Sequence, residues 1–266
     1  MQNKLSFFLK MMMILGYGFL YMPIFTLIIF SFNVSRQVTV WQGFSTKWYA
    51  SLLEDEVLIH SVWVSLQVAL SAATLAVILG TMAAVALVRL GRFRGRSFFG
   101  ILTAAPLVMP EVITGLSLLL LFVGLEQILG WPRGRGIFTI TLAHTTLCMA
   151  YVTIIVRGRL ADMDRSLEEA ALDLGARPLK VFTRITLPLI SPALVAGWLL
   201  AFALSLDDLV LASFVAGPGS STLPMVIFSS IRFGITPQIN ALATIIITSV
   251  AFGVLVAGWL LHRKKY

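Results

Sequence analysis

The residues Glu169–Pro188 read EAALDLGARPLKVFTRITLP and form a polar, amphipathic stretch between two long apolar segments. The paired alanines and Leu174 fall on one face of a helix, where small side chains let another protein's backbone come close. Gly175 suits the left-handed position that ends a helix, and Pro178 suits the first turn of a second helix. The stretch therefore predicts a helix–turn–helix knob beside the membrane.

The two ends of this knob carry further local signals. Ser166 and Glu169 stand three residues apart, which is the spacing of a capping box at the start of a helix. Phe182 and Ile185 are expected to pack the second helix against the rest of the protein. Pro188 is expected to end that helix, because proline has no backbone N–H to donate.

The composition predicts an integral membrane protein. Hydrophobic residues make up 58% of the chain and charged residues 12%, and the mean hydropathy is +0.93. Soluble chains have about a quarter charged residues, and apolar runs of about 18 residues or more predict membrane-spanning helices. Because the runs are continuous and do not alternate with period two, we predict an all-α protein with one membrane domain over residues 1–266. Its six spans lie approximately at 11–32, 61–88, 98–129, 137–157, 189–212 and 239–261, with a polar loop at 158–188.

The basic residues predict the orientation of the spans. The net charge is +8, but the arginines and lysines cluster in alternate loops, which favours a membrane protein over a nucleic-acid-binding one. With the N-terminus inside, 15 of the 20 Lys and Arg residues lie on the inner side, and five lie outside: Arg36, Lys47, Arg133, Arg135 and Arg232. Both termini are therefore predicted to be cytoplasmic.

Four carboxylates lie within the predicted spans, and three of them are candidates for a transport path, since Glu126 is expected to reach the outer water. Glu111 is about fourteen residues into the third span, or about 21 Å at 1.5 Å per residue, which places it near mid-membrane. Asp207 and Asp208 lie in the fifth span, nearer its outer end. Ionisable residues inside a membrane are usually functional, and these three could line the path of a cation.

Each carboxylate also has a structural interpretation. Adjacent helical residues point about 100° apart, so one of Asp207 and Asp208 would face the path while the other braces the following turn. Glu111 could instead hydrogen-bond to the backbone that Pro110 leaves unpaired. His144 is interpreted as a hydrogen-bonded packing residue.

The sequence contains no pattern for catalysis or for cofactor binding. It has no phosphate-binding P-loop, no HExxH sequence and no zinc-type cluster of cysteines and histidines. We therefore predict that this chain is not an enzyme by itself, binds no cofactor or metal, and relies on another subunit for any ATP hydrolysis.

The polar stretch resembles the cytoplasmic EAA loop by which permeases of ABC importers bind their ATPase subunits. The match covers every fixed position: Glu169, Ala170, Ala171, Gly175, Ile185, Leu187 and Pro188. Residues 105–122, 204–214 and 240–244 are similar to the polyamine (putrescine and spermidine) importer permeases, and the resemblance extends over essentially the full length. Glu111 stands where close relatives often carry aspartate, which retains the charge.

This resemblance implies a type I ABC importer in the bacterial inner membrane. Such an importer contains two homologous permeases, two cytoplasmic ATPase subunits and a periplasmic polyamine-binding protein. The cargo would be a polyamine, with putrescine favoured, and the same architecture could carry another small cationic or polar solute.

Two other classes of protein are less compatible with the sequence. An ion-coupled secondary transporter predicts inverted repeats and discontinuous helices without a cytoplasmic knob. A membrane scaffold without transport gives no reason for carboxylates at membrane depth.

Overall fold

A computed structural model describes residues 2–37, 40–233 and 236–263. Over these residues the chain is built of helices, and the one extended pairing among them is an isolated bridge between Asn33 and Phe44. The helices are α1 (Gln2–Phe30), α2 (Lys47–Glu54), α3 (Glu56–Arg89), α4 (Arg96–Val108), α5 (Glu111–Leu129), α6 (Ile137–Asp162), α7 (Ser166–Asp173), α8 (Pro178–Val181), α9 (Leu187–Asp207), α10 (Val210–Val215), α11 (Leu223–Phe233) and α12 (Pro237–Arg263). A π-helical segment, Phe182–Thr186, joins α8 to α9.

The structure has a membrane-spanning helix in each of the six predicted spans, although two of those spans differ in their bounds. Five stretches are long and apolar enough to cross a membrane: Phe7–Phe30, Glu56–Arg89, Glu111–Leu129, Ile137–Asp162 and Pro178–Asp207. The sixth is α12, which is helical for 27 residues and therefore about 40 Å long. The predicted all-α architecture is confirmed.

The predicted third span, 98–129, is not one kinked helix, since it consists of α4 and α5 with a break between them. Met109 is extended, with φ −76° and ψ 135°, as expected of a residue before proline. Pro110 is also extended, and α5 begins at Glu111. The sequence predicted a kink here, but Pro110 ends one helix and precedes the next.

The predicted fifth span also ends earlier than expected. It was predicted to reach residue 212, whereas α9 ends at Asp207 and the short α10 begins at Val210. The intervening Asp208 is extended, with ψ 122°, and its carboxylate accepts a hydrogen bond from the N–H of Ala212. The Asp208 carboxylate therefore takes the place of a backbone carbonyl as the acceptor for the Ala212 N–H.

The chain divides into two compact units. The first contains Met1–Ile59 and Ile227–Tyr266, and in it α12 packs against α1 and α2. Its loop is organised by the buried Asn33, whose amide nitrogen donates to the carbonyl of Val40 and whose oxygen accepts the N–H of Gln42.

The second unit, His60–Val226, contains the predicted site residues. Its centre is α6, which packs against α4, α9 and α10. Val152, Val156 and Leu160 on α6 are fully buried. A Cβ atom placed on Gly80 of α3 would lie 2.9 Å from the side chain of Val152, so α3 and α6 are in close contact.

Gly115 marks a second close contact, between α5 and α10. A Cβ atom at this position would lie 2.6 Å from the ring of Phe214. We expect Gly115→Ala to lower the stability of the protein by about 1–3 kcal/mol, because the ring must shift within packed surroundings. Gly124→Ala is the matched control on the same helix, since a Cβ there meets no atom within 4 Å. Thermal unfolding in detergent measures the stability of both variants. Equal midpoints would contradict the close contact between Gly115 and Phe214.

Candidate functional site

The first arm of the predicted knob is α7. It begins at Ser166, and the carboxylate of Asp164 accepts the Ser166 N–H at 2.9 Å. The predicted capping box between Ser166 and Glu169 is wrong, because Ser166 is already inside the helix and its side chain does not cap it. Hydrogen bonding from Ser166 lowers the pKa of the exposed Asp164 carboxyl, so its charged form persists beside the positive end of the helix.

The turn of the knob is the predicted glycine turn. Gly175 has φ +82°, a conformation that favours glycine. Its N–H donates to the carbonyl of Leu172, and the N–H of Ala176 donates to the carbonyl of Ala171. These two bonds form a Schellman motif, which confirms the helix end. Pro178 then occupies the first turn of α8.

The second arm does not end at Pro188 as predicted. It continues from α8 through the π-helical segment into α9, where Pro188 lies in the first turn. The N–H of Leu187 donates to the carbonyl of Phe182, five residues earlier. Pro188 has no backbone N–H, and the wider π-helical turn lies directly before it. The chain therefore continues as a helix through Pro188. The knob is therefore joined to the long helix α9 without a break.

A polar cluster fixes the base of the knob. The Nε atom of Arg89, the last residue of α3, lies 2.8 Å from Oε2 of Glu168, and both side chains are about 15% exposed. The angle is not that of a hydrogen bond, so the attraction is mainly electrostatic. Oε1 of Glu168 accepts the Thr186 hydroxyl at 2.6 Å. Arg165 adds a hydrogen bond to the carbonyl of Val88 at 2.7 Å. We call Arg89, Glu168 and Thr186 the knob anchor.

Sequence reasoning did not find the knob anchor. It singled out Glu169, whereas the structure turns the neighbouring Glu168 toward α3. Arg89 was counted only among the basic residues that set topology. No local signal distinguishes two adjacent glutamates, because their roles depend on where α3 ends.

The outer surface of the knob exposes large apolar side chains. Leu174 is 89% exposed and Leu179 is 74% exposed. A pocket of about 540 Å³ is lined by Leu179, Leu172 and the knob anchor. The motif residues are placed as follows: Glu169, Ala170, Gly175 and Pro188 are exposed, and Ala171, Ile185 and Leu187 are half-buried. Large apolar side chains exposed on one surface, such as Leu174 and Leu179, are typical of a protein-binding surface.

Glu111 lies at the break between α4 and α5. It is the first residue of α5 and is exposed. The carbonyl of Pro110 accepts the N–H groups of Ile113 and Thr114. Among the described residues, no hydrogen bond to the Glu111 carboxylate is present, so the predicted alternative of backbone bracing has no matching contact.

The adjacent aspartates differ in their surroundings. The side chain of Asp208 is 6% exposed and lies 3.4 Å from Nε2 of His144, while Nδ1 of His144 is 2.7 Å from the Ser205 hydroxyl. Because Asp208 also accepts the N–H of Ala212, it braces the start of α10. Asp207 is exposed. The interpretation of His144 as a hydrogen-bonded packing residue agrees with these contacts.

The chain is similar to known membrane transport proteins. A sequence profile described as "Binding-protein-dependent transport system inner membrane component" matches residues 76–263. The putrescine transport system permease protein PotI of Escherichia coli (strain K12) is 58% identical over 253 residues, covering 95% of this chain and 90% of that protein. The spermidine/putrescine transport system permease protein PotC of the same strain is 40% identical over 249 residues, covering 94% and 91%.

Solved structures show the same fold. A bacterial ABC transporter involved in the import of the polysaccharide alginate has a chain that matches with a TM-score of 0.72 at 18% identity, covering 98% of this chain and 96% of that chain. At this level of identity the likeness concerns the fold alone. Together with the profile match and the helices long enough to span a bilayer, it indicates a multi-pass inner membrane protein. The chain therefore belongs to the family of inner membrane components of binding-protein-dependent transport systems.

Proposed function

We propose that this chain is the membrane-spanning permease subunit of an ATP-driven importer that carries polyamines, with putrescine as the main cargo. The observation that carries the proposal is the knob itself, an exposed helix–turn–helix that is anchored to α3 and continuous with α9. A force applied to such a knob reaches two membrane spans directly. The identity of 58% to PotI supports the choice of cargo.

Membership of the family of binding-protein-dependent transport components supports a set of partner subunits. Two cytoplasmic ATPase subunits hydrolyse ATP, and one of them binds the exposed apolar side chains of Leu174 and Leu179 on the knob. A second, homologous permease completes the path through the membrane, and a periplasmic polyamine-binding protein delivers the cargo. The excess of basic residues on the side of the knob supports cytoplasmic positions for both termini.

The carboxylates give the cargo a path. A polyamine carries two or more positive charges, and isolated charges are costly in the membrane interior. Glu111 is exposed at a helix break, and Asp207 is exposed at the end of α9. These two carboxylates contact the cation, while Asp208 supports α10 from its contacts with His144 and Ala212.

Glu111→Gln is expected to reduce putrescine uptake by more than about tenfold, because a hydrogen bond or ion pair with a charged group contributes about 1.5–3 kcal/mol. The measurement is uptake of radiolabelled putrescine in cells that lack this chain and are complemented by wild type or variant. Glu111→Asp retains the charge and should retain most of the uptake. Glu126→Gln is the matched control, because Glu126 lies near the other end of α5 and its Oε1 accepts the Gly134 N–H, which a glutamine oxygen can also do.

The same experiment tests the cargo. Uptake restored by wild type and by Glu126→Gln, but not by Glu111→Gln, would support both the permease and the path. Full rescue by Glu111→Gln would remove Glu111 from the path and leave the permease. Failure of the wild type to restore putrescine uptake, with its partner subunits expressed, would indicate a different small cation or polar solute.

A further inference from the structure

We propose that a pocket at the start of α4 binds the phosphate headgroup of an anionic phospholipid. The pocket has a volume of about 430 Å³ and lies among the end of α3, the start of α4 and the end of α6, all within the second unit. Arg96 and Arg157 line it, together with Ser97, Leu87 and Ile101.

Both guanidinium groups have donors available for an anion. Arg96 donates one hydrogen bond to the carbonyl of Leu87 at 2.7 Å, which holds its half-buried side chain at the pocket wall. A guanidinium has five N–H donors, and its planar fork matches a phosphate. No carboxylate lines this pocket, and in the described parts of the chain neither Arg96 nor Arg157 forms an ion pair.

The apolar side of the pocket favours a lipid over a soluble anion. The surface of α4 next to the arginines exposes Phe98 (65%), Ile101 (67%) and Leu102 (53%). The cationic side chains at the start of α4 can contact the phosphate of a lipid at headgroup level. The apolar side chains along the helix can contact the acyl chains in the hydrocarbon layer. Basic pockets between spans on the cytoplasmic side commonly bind acidic headgroups.

The experiment uses the full-length chain purified with its co-expressed partner subunits and stripped of lipid in detergent. Dioleoyl phosphatidylglycerol or dioleoyl phosphatidylcholine is titrated in, and native mass spectrometry records bound lipid and subunit composition together. Each basic side chain near an acidic headgroup contributes about fivefold in affinity. We expect Arg157→Gln to weaken phosphatidylglycerol binding about fivefold, and Arg96→Gln with Arg157→Gln about thirtyfold.

Two further variants separate the pocket from general surface charge. Arg157→Lys retains the positive charge and should bind within about threefold of wild type. The double variant Arg92→Gln and Arg94→Gln removes the same charge from exposed positions outside the pocket, and its affinity should change less than about twofold because solvent and salt screen these groups.

Four results would overturn the proposal. Equal losses in the two double variants would reduce the effect to surface charge. Equal binding of phosphatidylcholine would leave only an apolar groove. Displacement of phosphatidylglycerol by an equal concentration of inorganic phosphate would indicate a site for soluble anions. Loss of lipid only together with loss of a partner subunit would make the pocket a protein interface.

Discussion

Gly175→Val is expected to reduce putrescine uptake by about tenfold or more while the chain still inserts into the membrane. Gly175 has φ +82°, and an L residue in this conformation costs about 1–2 kcal/mol, with β-branched residues at the upper end. A Cβ atom at Gly175 would meet no other atom within 4 Å, so the effect comes from the backbone alone. The strained turn would lose the Schellman bonds and change the angle between the two arms of the knob.

Two controls isolate this backbone effect. Gly175→Asn should retain most of the uptake, since asparagine tolerates the left-handed conformation better than other residues with a Cβ. Gly158→Val adds the same side chain to α6 at a position where a Cβ meets nothing within 4 Å and φ is not left-handed. Uptake assays and co-purification of the ATPase subunits measure all three. Normal uptake and normal ATPase association in Gly175→Val would show that the turn does not transmit the coupling.

Glu168→Gln is expected to uncouple ATP hydrolysis from transport. The substitution removes the charge that attracts Arg89 and leaves an acceptor for the Thr186 hydroxyl. Because both side chains are about 15% exposed, losing the ion pair is expected to weaken the attachment of the knob to α3 by about 2 kcal/mol. This value lies between that for a surface ion pair and that for a fully buried one. We expect the variant complex to hydrolyse ATP with less putrescine moved per ATP, since the knob is less firmly joined to α3.

Asp173→Asn is the matched control for Glu168→Gln. It removes one negative charge from the exposed end of the same helix and should leave the ratio of transport to hydrolysis unchanged in reconstituted vesicles. A double-mutant cycle with Arg89→Gln then measures the pair itself. If the two single effects simply add, or if Asp173→Asn behaves like Glu168→Gln, the knob anchor has no role in coupling.

Several features of the chain were predictable because they depend on local or average properties. The spans follow from continuous apolar runs, whose burial in lipid does not require any particular neighbour. The turn at Gly175 follows from hydrogen bonds between residues at most five apart, such as Ala176 and Ala171. The break after Val108 was predicted only as a kink, because proline restricts the preceding residue but does not specify how far the chain bends.

Other predictions failed where two local solutions compete. Ser166 could cap a helix or be its first residue. The Asp164 carboxylate accepts the Ser166 N–H, and Ser166 is the first residue of α7. Pro188 could end a helix or start one, and the wider turn at Phe182–Thr186 lets the helix continue. Both outcomes depend on small differences between neighbouring hydrogen-bond acceptors, which composition and spacing do not reveal.

Sequence alone was sufficient for the membrane class, the number of spans, the glycine turn of the knob and the family. Only the packing of the helices distinguished the members of each acidic pair: Glu168 pairs with Arg89 while Glu169 is exposed, and Asp208 is buried beside His144 while Asp207 is exposed. Asp208 turns inward because its backbone is extended just beyond the end of α9. The two glutamates lie within α7, where adjacent residues point about 100° apart, so the one that turns inward depends on the rotation of the helix. That rotation is set by contacts with distant segments of the chain, which no local pattern encodes.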